Sequence, residues 1–260
     1  MAYDFITVER DGPVTVVTLN RPEVMNALHS PAHHELHAAF DAFAADPEQW
    51  VAIVTGAGER AFSAGNDLKH QAGGGGMGLP ASGFAGLTER FDLTKPLIAA
   101  VNGVAMGGGF EIALACDLII AAESATFALP EPRVGLAALA GGLHRLPRQI
   151  GEKRAMGMIL TGRRVSAAEG RDLGFVNEVV PAADLMAAAR RWAAQICELS
   201  PMSIRASKEA VNLGLDAATL QAAMGAQMRY PAISAMLRSE DFKEGPMAFA
   251  QKRPPQWKGR

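Results

Sequence analysis

Cysteine is scarce in this sequence, since only Cys116 and Cys197 occur among 260 residues. Two cysteines cannot form the disulfide framework of a small secreted domain. Both lie in apolar, helix-like surroundings, which favours buried free thiols.

An excess of charge of one sign is also lacking. The formal net charge is -2 at pH 7 and no long basic run occurs, so a nucleic-acid surface is not indicated. The most apolar stretch, Ile112 to Ala122, is interrupted by Asp117 and is too short to span a bilayer. The first residues, Met1 to Phe5, lack the basic and apolar regions of a signal peptide. We therefore expect a cytoplasmic protein that binds neither nucleic acid nor a membrane.

Strand and helix patterns alternate through most of the chain. Phe5 to Leu19 alternates around the turn signal Asp11-Gly12 and predicts a β-hairpin. Val51 to Thr55 predicts a buried strand, and Leu97 to Val101 predicts another that leads into a glycine turn and a helix. Pro31 to Ala45 has helical spacing. This alternation indicates an α/β core with crossover connections.

The pattern becomes mainly helical from Ala182 onward. Amphipathic segments cover Asp184 to Leu199, Ser203 to Leu213 and Asp216 to Met228. A chain of 260 residues suits one large domain, or a domain with a helical appendage. We therefore divide it into an α/β core, residues 1–195, and a helical C-terminal region, residues 196–260.

Glycine is concentrated between Gln71 and Gly86. This composition predicts a mobile stretch. The stretch follows directly on the turn Ala64 to Asp67, so it is either a lid beside a pocket or a surface loop without a role.

A glycine turn and two glutamates carry the clearest chemical signal. Gly107-Gly108-Gly109 precedes Glu111, and Glu131 follows shortly after between Pro130 and Pro132. Glycines let the backbone approach a ligand closely, and a helix that begins there directs free N–H groups at it. Two carboxylates beside a bound carbonyl group can divide acid and base roles. The pattern therefore indicates an enzyme that stabilises an oxyanion while it moves a proton.

A second candidate site is weaker. His33 and His37 lie one helical turn apart, a spacing that can bind a metal. No third ligand is apparent, so we expect a solvent-facing helix and no metal site.

Short motifs follow one another in a fixed order along nearly the whole chain. They are Leu19-Asn20-Arg21-Pro22 with Asn26-Ala27-Leu28, Ala61 to Lys69, Lys95 to Gly103, Gly107 to Glu111, Cys116-Asp117, Phe127 to Gly135, Thr161-Gly162-Arg163, Gly174-Phe175-Val176 and the run from Glu244 to Arg260. A glycine-rich turn alone would be weak evidence, but these motifs in this order resemble those of the crotonase, or enoyl-CoA hydratase/isomerase, superfamily. The resemblance implies an α/β fold in which a spiral of repeated ββα units is followed by a helical C-terminal region.

The resemblance also implies a reaction, the reversible addition of water to a 2-enoyl-CoA thioester. In that reaction the backbone N–H groups of Asn66 and Gly108 would bind the thioester oxygen. Glu111 would act as base toward water and Glu131 would handle the α-proton, with its direction fixed by the flanking prolines. Without the resemblance, Glu111 would more readily be a charge at a helix start and Glu131 a solvated loop acid.

Coenzyme A would be part of the substrate, so neither a cofactor nor a metal is expected. The positions that match the substrate and coenzyme A groove are Met25, Ala27, Ala64, Asp67, Leu68, Lys69, Gly107, Pro130 and Gly135. Asp67 is expected to hold its turn, and Lys69 to meet either a phosphate or solvent. Crotonases form trimers, often paired into hexamers, so residues 196–260 are expected at subunit interfaces of a homotrimer or a dimer of trimers.

Two other functions stay open. One is an enoyl-CoA isomerase that uses mainly Glu131, and the other is a non-catalytic crotonase-like binding protein. The acyl group is not indicated either. Aromatic residues make up only 6% of the chain, with no cluster near the site that would suit a trimethylammonium group. Asn66, where many hydratases have alanine, and Leu136 to Ala140 depart from the family pattern.

Overall fold

The computed structural model describes residues 3–76 and 78–260. Met1, Ala2 and Met77 lie outside the described residues. The expectations for the first residues and for the glycine-rich segment therefore fall partly outside them.

One sheet of six strands forms the centre of the core. Its strands are β1 (Ile6–Asp11), β2 (Val14–Leu19), β3 (Val51–Gly56), β5 (Leu97–Val101), β7 (Leu118–Ala122) and β10 (Glu178–Val180), and they lie in that order across the sheet. β1 and β2 are antiparallel and form the predicted hairpin, whereas the other neighbours are parallel. All six residues of β3 are buried, as expected for a parallel strand that is covered on both faces.

A second sheet of four short strands lies beside the first. It contains β4 (Ala61–Ser63), β6 (Val104–Met106), β8 (Thr126–Ala128) and β9 (Val165–Ser166), in that order. The chain passes from β3 to β4, from β5 to β6 and from β7 to β8, so each of these three strands of the first sheet is followed by a short strand of the second. A helix follows each pair. This repetition is the predicted spiral of ββα units.

The described residues contain eleven α-helices. They are α1 (Ser30–Ala45), α2 (Leu68–Ala72), α3 (Gly108–Ala115), α4 (Gly142–Ile150), α5 (Glu152–Thr161), α6 (Ala167–Leu173), α7 (Leu185–Cys197), α8 (Pro201–Asp216), α9 (Leu220–Ala226), α10 (Pro231–Arg238) and α11 (Glu240–Ala250). The predicted helical character of the C-terminal region is confirmed. None of the helices in the described part of the chain is long and apolar enough to cross a membrane. The division at residue 195 stays a prediction.

Two apolar clusters cover the two faces of the first sheet. Val51, Ile53 and Ile98 pack against alanines of α7, which are small enough to let the helix approach the strands closely. Phe40 of α1 and Phe110 of α3 belong to the other cluster, which fills the space toward the second sheet. This packing fixes the start of α3 relative to both sheets.

The glycine-rich segment is more ordered than its composition predicts. Leu68–Ala72 forms α2, and Phe84–Gly86 forms a buried 3-10 turn that packs against α1. The expectation of a mobile stretch up to Gly86 is therefore wrong for its last residues, because tertiary packing encloses them.

Candidate active site

The glycine turn between β6 and α3 is packed against three different neighbours. A Cβ placed on Gly107 would lie 2.9 Å from Oε1 of Glu131, and one on Gly108 would lie 2.5 Å from Cζ of Phe84. A Cβ on Gly109 would overlap the carbonyl oxygen of Ser63. Each glycine is thus required by close approach, and the start of α3 is held tightly in place.

Two backbone amides adjoin at this turn. A Cβ placed on Gly65 would lie 2.8 Å from the Gly108 nitrogen, so the turn that carries Asn66 touches the turn that carries Gly108. The Leu28 N–H donates to the Gly65 carbonyl and the Asp67 N–H donates to the Leu28 carbonyl, both at 2.8 Å. Among the described residues, neither the Asn66 nor the Gly108 N–H has a protein acceptor. Two neighbouring free donors at a helix N-terminus can bind an oxyanion.

Glu111 lies in the first turn of α3 and is only 3% exposed. Its Oε1 accepts a hydrogen bond of 2.8 Å from the Gly142 N–H. Burial and the negative charge of Glu131 together raise the pKa of Glu111 to about 7, against the opposing hydrogen bond from Gly142. A carboxyl group with this pKa can exchange a proton near neutral pH.

Glu131 begins a short 3-10 turn, Glu131–Val134, directly after β8 and Pro130. Its carboxylate is directed toward Gly107. Oε2 is buried and has no hydrogen-bond partner among the described residues. Burial raises the pKa of this carboxyl group. The carboxylate of Glu131 thus adjoins the glycine turn, Glu111 lies on the helix that begins there, and the pKa of both carboxyl groups is raised.

The turns around Asn66 bring together several of the residues predicted to line the groove. The Ala64 N–H donates to the Met25 carbonyl at 2.9 Å. Nη1 of Arg21 donates to the Ala27 carbonyl at 2.6 Å and to Oδ2 of Asp67 at 3.0 Å.

Asp67 holds its turn as expected, since Oδ1 accepts a hydrogen bond of 3.1 Å from the His70 N–H at the start of α2. Leu68 and Lys69 lie exposed on α2. This part of the chain thus presents backbone, apolar and cationic groups side by side.

Pro130 and Gly135 lie at opposite ends of the turn that carries Glu131. Pro130 borders a cavity of about 390 Å³, whose other lining residues are Met106, Ala128, Arg133, Gly162 and Arg164. Gly135 is exposed and ends the turn with a φ of +73°. No contact described for Gly135 reaches Glu111 or Gly108, so its role in binding stays a prediction.

Some residues of the site were not anticipated from the sequence. Gly142, at the start of α4, donates to Glu111 from 31 positions along the chain. The Phe84 ring lies against Gly108 from a segment that looked like a loop. Asn26 has a φ of +54° and joins Arg21 to Ala57 and Ala61 through its side chain. Only Asn26 carried a local signal, since asparagine tolerates the left-handed conformation.

The histidine pair on α1 differs from expectation. His33 is buried and accepts a hydrogen bond from the Ala85 N–H, so this face of the helix is not turned to solvent. His37 contacts Ser82, Arg90 and Asp41. Among the residues that the structure describes, no group of three or more side chains could hold a metal ion.

Comparisons with known proteins identify relatives over nearly the whole length of this chain. A family model described as "Enoyl-CoA hydratase/isomerase" matches residues 9–260. A protein named carnitinyl-CoA dehydratase from Salmonella arizonae is 45% identical over 260 residues, which cover 98% of each chain.

The chain belongs to the enoyl-CoA hydratase/isomerase family.

Solved structures of this family have the same fold. The enoyl-CoA hydratase from Mycobacterium tuberculosis H37Rv matches with a TM-score of 0.92 and 37% identity, over 98% of this chain and 99% of that one. The carnitinyl-CoA hydratase from Mycobacterium avium matches with a TM-score of 0.78 and 42% identity, over 100% of both chains. The predicted family and its fold are confirmed, and this member of the enoyl-CoA hydratase/isomerase family is a hydratase-type enzyme, a lyase.

Proposed function

We propose that this enzyme adds water reversibly to the double bond of a 2-enoyl-CoA thioester, with Glu111 and Glu131 as its catalytic residues. One observation carries the proposal. The buried Glu111 and the half-buried Glu131 both have raised pKa values, and they lie on the helix and the turn that adjoin two free backbone amides, those of Asn66 and Gly108. A site of this kind can stabilise an oxyanion and move protons within one pocket.

The proposed reaction starts with the thioester oxygen between the N–H groups of Asn66 and Gly108. Glu111 takes a proton from water as the water oxygen bonds to the β-carbon. The electrons of the double bond move onto the thioester, whose oxygen becomes an enolate oxygen. Glu131 then gives its proton to the α-carbon, and the enolate collapses to the thioester. Before the next turnover Glu111 releases its proton and Glu131 takes one up, by exchange with solvent. In the reverse direction each proton returns to the group from which it came.

The two amides are expected to contribute most in the enolate state. Loss of one such donor typically costs about 3 kcal/mol of transition-state stabilisation. The N-terminus of α3 adds a favourable dipole at the same place. Because both donors are main-chain groups, the side chain of Asn66 is not required for this role.

The proposed groove for coenzyme A runs along the turns that carry Met25, Ala27, Ala64 and Asp67. Leu68 and Lys69 of α2, together with Gly107, Pro130 and Gly135, complete the proposed set. The proposed mechanism requires no cofactor or metal ion beyond the coenzyme A of the substrate.

The acyl group is proposed from the names of the relatives. Proteins named carnitinyl-CoA dehydratase are 45–46% identical to this chain, so a betaine-bearing enoyl-CoA is one candidate substrate. Short linear enoyl-CoA thioesters are the other, since several structural relatives are named enoyl-CoA hydratase. The two candidate substrates are distinguished by comparing kcat/KM for short, long, aromatic and betaine-bearing enoyl-CoA thioesters.

Isomerisation is the second reaction class proposed for this site. It would shift a double bond with one carboxylate, mainly Glu131. Glu111 favours hydration, because hydration uses a second carboxyl group and a buried carboxyl group with a raised pKa is typical of a functional site.

The test is the loss of absorbance of crotonyl-CoA on hydration, measured with the wild type, Glu111→Gln and Glu131→Gln. Each substitution is expected to lower kcat by about 10²- to 10⁴-fold. Glu123→Gln, at an exposed glutamate, is the control and keeps wild-type activity. Hydration activity that survives in the double variant E111Q/E131Q would contradict the proposed mechanism.

We also propose that the enzyme is a homotrimer or a dimer of trimers and works in the cytoplasm. Apolar side chains exposed on α8 and α9 support an assembly through the C-terminal region. Cys116 and Cys197 are free thiols, which fits a reducing compartment.

A further inference from the structure

His33 is a buried histidine that the proposed reaction does not use. It lies on α1, is 0% exposed and belongs to the same buried face as Leu36 and Phe40. Its Nδ1 accepts a hydrogen bond of 3.0 Å from the Ala85 N–H, so the ring proton is on Nε2 and the ring is neutral. Nε2 is buried without a partner among the described residues. A polar ring buried in this way costs stability, so its presence calls for a reason other than packing.

The hydrogen bond from Ala85 restrains a strained turn. Ala85 has a φ of +56° and a ψ of 21°, a left-handed conformation that disfavours residues other than glycine. The next residue, Gly86, approaches the backbone of His37 so closely that a Cβ would overlap it. His33 and His37, one helical turn apart on α1, thus both contact the turn Phe84–Gly86 and hold it in place.

Phe84 connects this restraint to the glycine turn. Its ring packs edge-on against the His33 ring, with centroids 4.5 Å apart and an interplanar angle of 61°. On its other side, Cζ lies 2.5 Å from the position that a Cβ on Gly108 would take. His33, Phe84 and Gly108 therefore form a continuous line of contacts that ends at one of the two free amides.

We propose that His33 is a positioning residue of the oxyanion site: by holding the Ala85 amide it keeps the Phe84 ring against Gly108 and fixes the direction of the Gly108 N–H. The inference rests on the proposed function, because it takes that N–H as a donor to the thioester oxygen. The role requires an unprotonated Nδ1. Burial, together with the neighbouring His29 and His34, lowers the pKa of His33 to about 4, so Nδ1 stays an acceptor at the pH of the assay.

Three variants of α1 test the role. His33→Leu removes the acceptor but keeps an apolar side chain in the core. His33→Asn returns an acceptor oxygen near the position of Nδ1. His34→Leu changes the exposed neighbour on the same helix and is the matched control.

Crotonyl-CoA hydration gives kcat and KM, and the near-ultraviolet absorbance of bound acetoacetyl-CoA gives the fraction held as enolate. For H33L we expect kcat to fall about tenfold with KM changed less than about threefold, and the enolate fraction to fall with it. H33N should recover kcat to within about threefold of the wild type, and H34L should match the wild type. The pH limits of kcat/KM should stay unchanged in all three variants, because His33 exchanges no proton.

Several outcomes would overturn the proposal. They are an H33L variant with wild-type kcat and enolate fraction, an H33N variant as impaired as H33L, or a pH limit that moves with His33. A wild type without hydratase activity that still forms the enolate would count against the proposed function and leave the positioning role measurable through the enolate alone.

A second test of the positioning role does not require that the H33L variant folds. Phe84→Leu keeps the hydrogen bond between His33 and Ala85 but removes the ring from Gly108. We expect F84L to lower kcat and the enolate fraction as well. Where H33L folds, the double variant should be little worse than the poorer single variant, because both act through one contact. Wild-type kcat and enolate fraction in F84L would contradict the role by themselves.

Discussion

Glu111 is a buried acid at the start of α3. Its burial raises the pKa of the carboxyl group and so also affects the stability of the folded protein. Its pKa is about 7 in the folded protein against an ordinary value of 4.5. Between these values the folded chain holds a proton that the unfolded chain has released. Stability therefore falls as pH rises from about 4.5 to 7 and stays lower above pH 7.

Glu111→Gln should remove this loss of stability. Glutamine keeps an oxygen for the Gly142 N–H but carries no charge. At pH 8 we expect the free energy of unfolding to rise by up to about 3 kcal/mol, and at pH 4 the gain should vanish. Urea unfolding at pH 8 and at pH 4 measures the free energy of unfolding, with Glu123→Gln as the control. An equal difference at both pH values would mean that the charge of Glu111 is not the cause.

The same pKa predicts how the rate depends on pH. If Glu111 takes the proton from water, kcat/KM for hydration must rise with pH near 7, as Glu111 in the free enzyme loses its proton. It must fall again at higher pH, as Glu131 loses the proton that it gives to the α-carbon. Because the two carboxyl groups are close, both limits belong to the pair of glutamates. Initial rates with crotonyl-CoA from pH 5.5 to 8.5 check the prediction, and a flat profile contradicts it.

At the scale of elements, the start of α3 is the part that the site depends on most. β6 ends, the glycine turn follows, and α3 carries both the Gly108 amide and Glu111. Gly109 lies against the carbonyl oxygen of Ser63 in β4. A displacement of this helix start would therefore move a hydrogen-bond donor and a base together.

Gly109→Ala tests this dependence. The added methyl group must push α3 away from β4, and a misplacement of about 1 Å can cost about 10²-fold in rate. We expect kcat for crotonyl-CoA to fall by that order, with about 1–3 kcal/mol of stability lost to overpacking. Gly157→Ala is the matched control, because Gly157 lies in α5 and an added Cβ there would meet no atom within 4 Å. That variant should keep full activity and gain up to about 1 kcal/mol from helix propensity.

Element-scale patterns also mark what the sequence can predict. The hairpin around Asp11-Gly12, the buried strand at Val51 and the helix bearing Glu111 follow from local spacing, and the structure contains all three. The contact of Gly142 with Glu111 and that of Phe84 with Gly108 join distant segments, so no local pattern predicts them. His33 was expected on a solvent-facing helix because no third metal ligand was apparent, whereas in the structure Phe84 and Ala85 pack against its ring.

At the scale of the whole molecule, the C-terminal helices are attached to the core at one end and leave apolar side chains exposed at the other. Nζ of Lys208 on α8 donates to the Lys95 carbonyl at 2.9 Å and to Oδ2 of Asp117 at 2.8 Å. Farther along, Leu215 is 71% exposed and Leu220 is 77% exposed. They border a cavity of about 320 Å³ together with Met224 and Tyr230. Adjoining exposed apolar side chains of this size mark an interaction surface.

We expect this surface to be covered by another copy of the chain, so that the enzyme sediments as a trimer or a hexamer at micromolar concentration. Leu220→Asp together with Met224→Asp places charges on the apolar surface and should shift the protein to monomers, because a buried unpaired carboxylate is strongly disfavoured. Analytical ultracentrifugation measures the shift. Gln221→Asp adds one negative charge on α9 at a residue outside the cavity lining, and it should leave the assembly intact. A wild type that stays monomeric would show that these side chains serve some contact other than self-association.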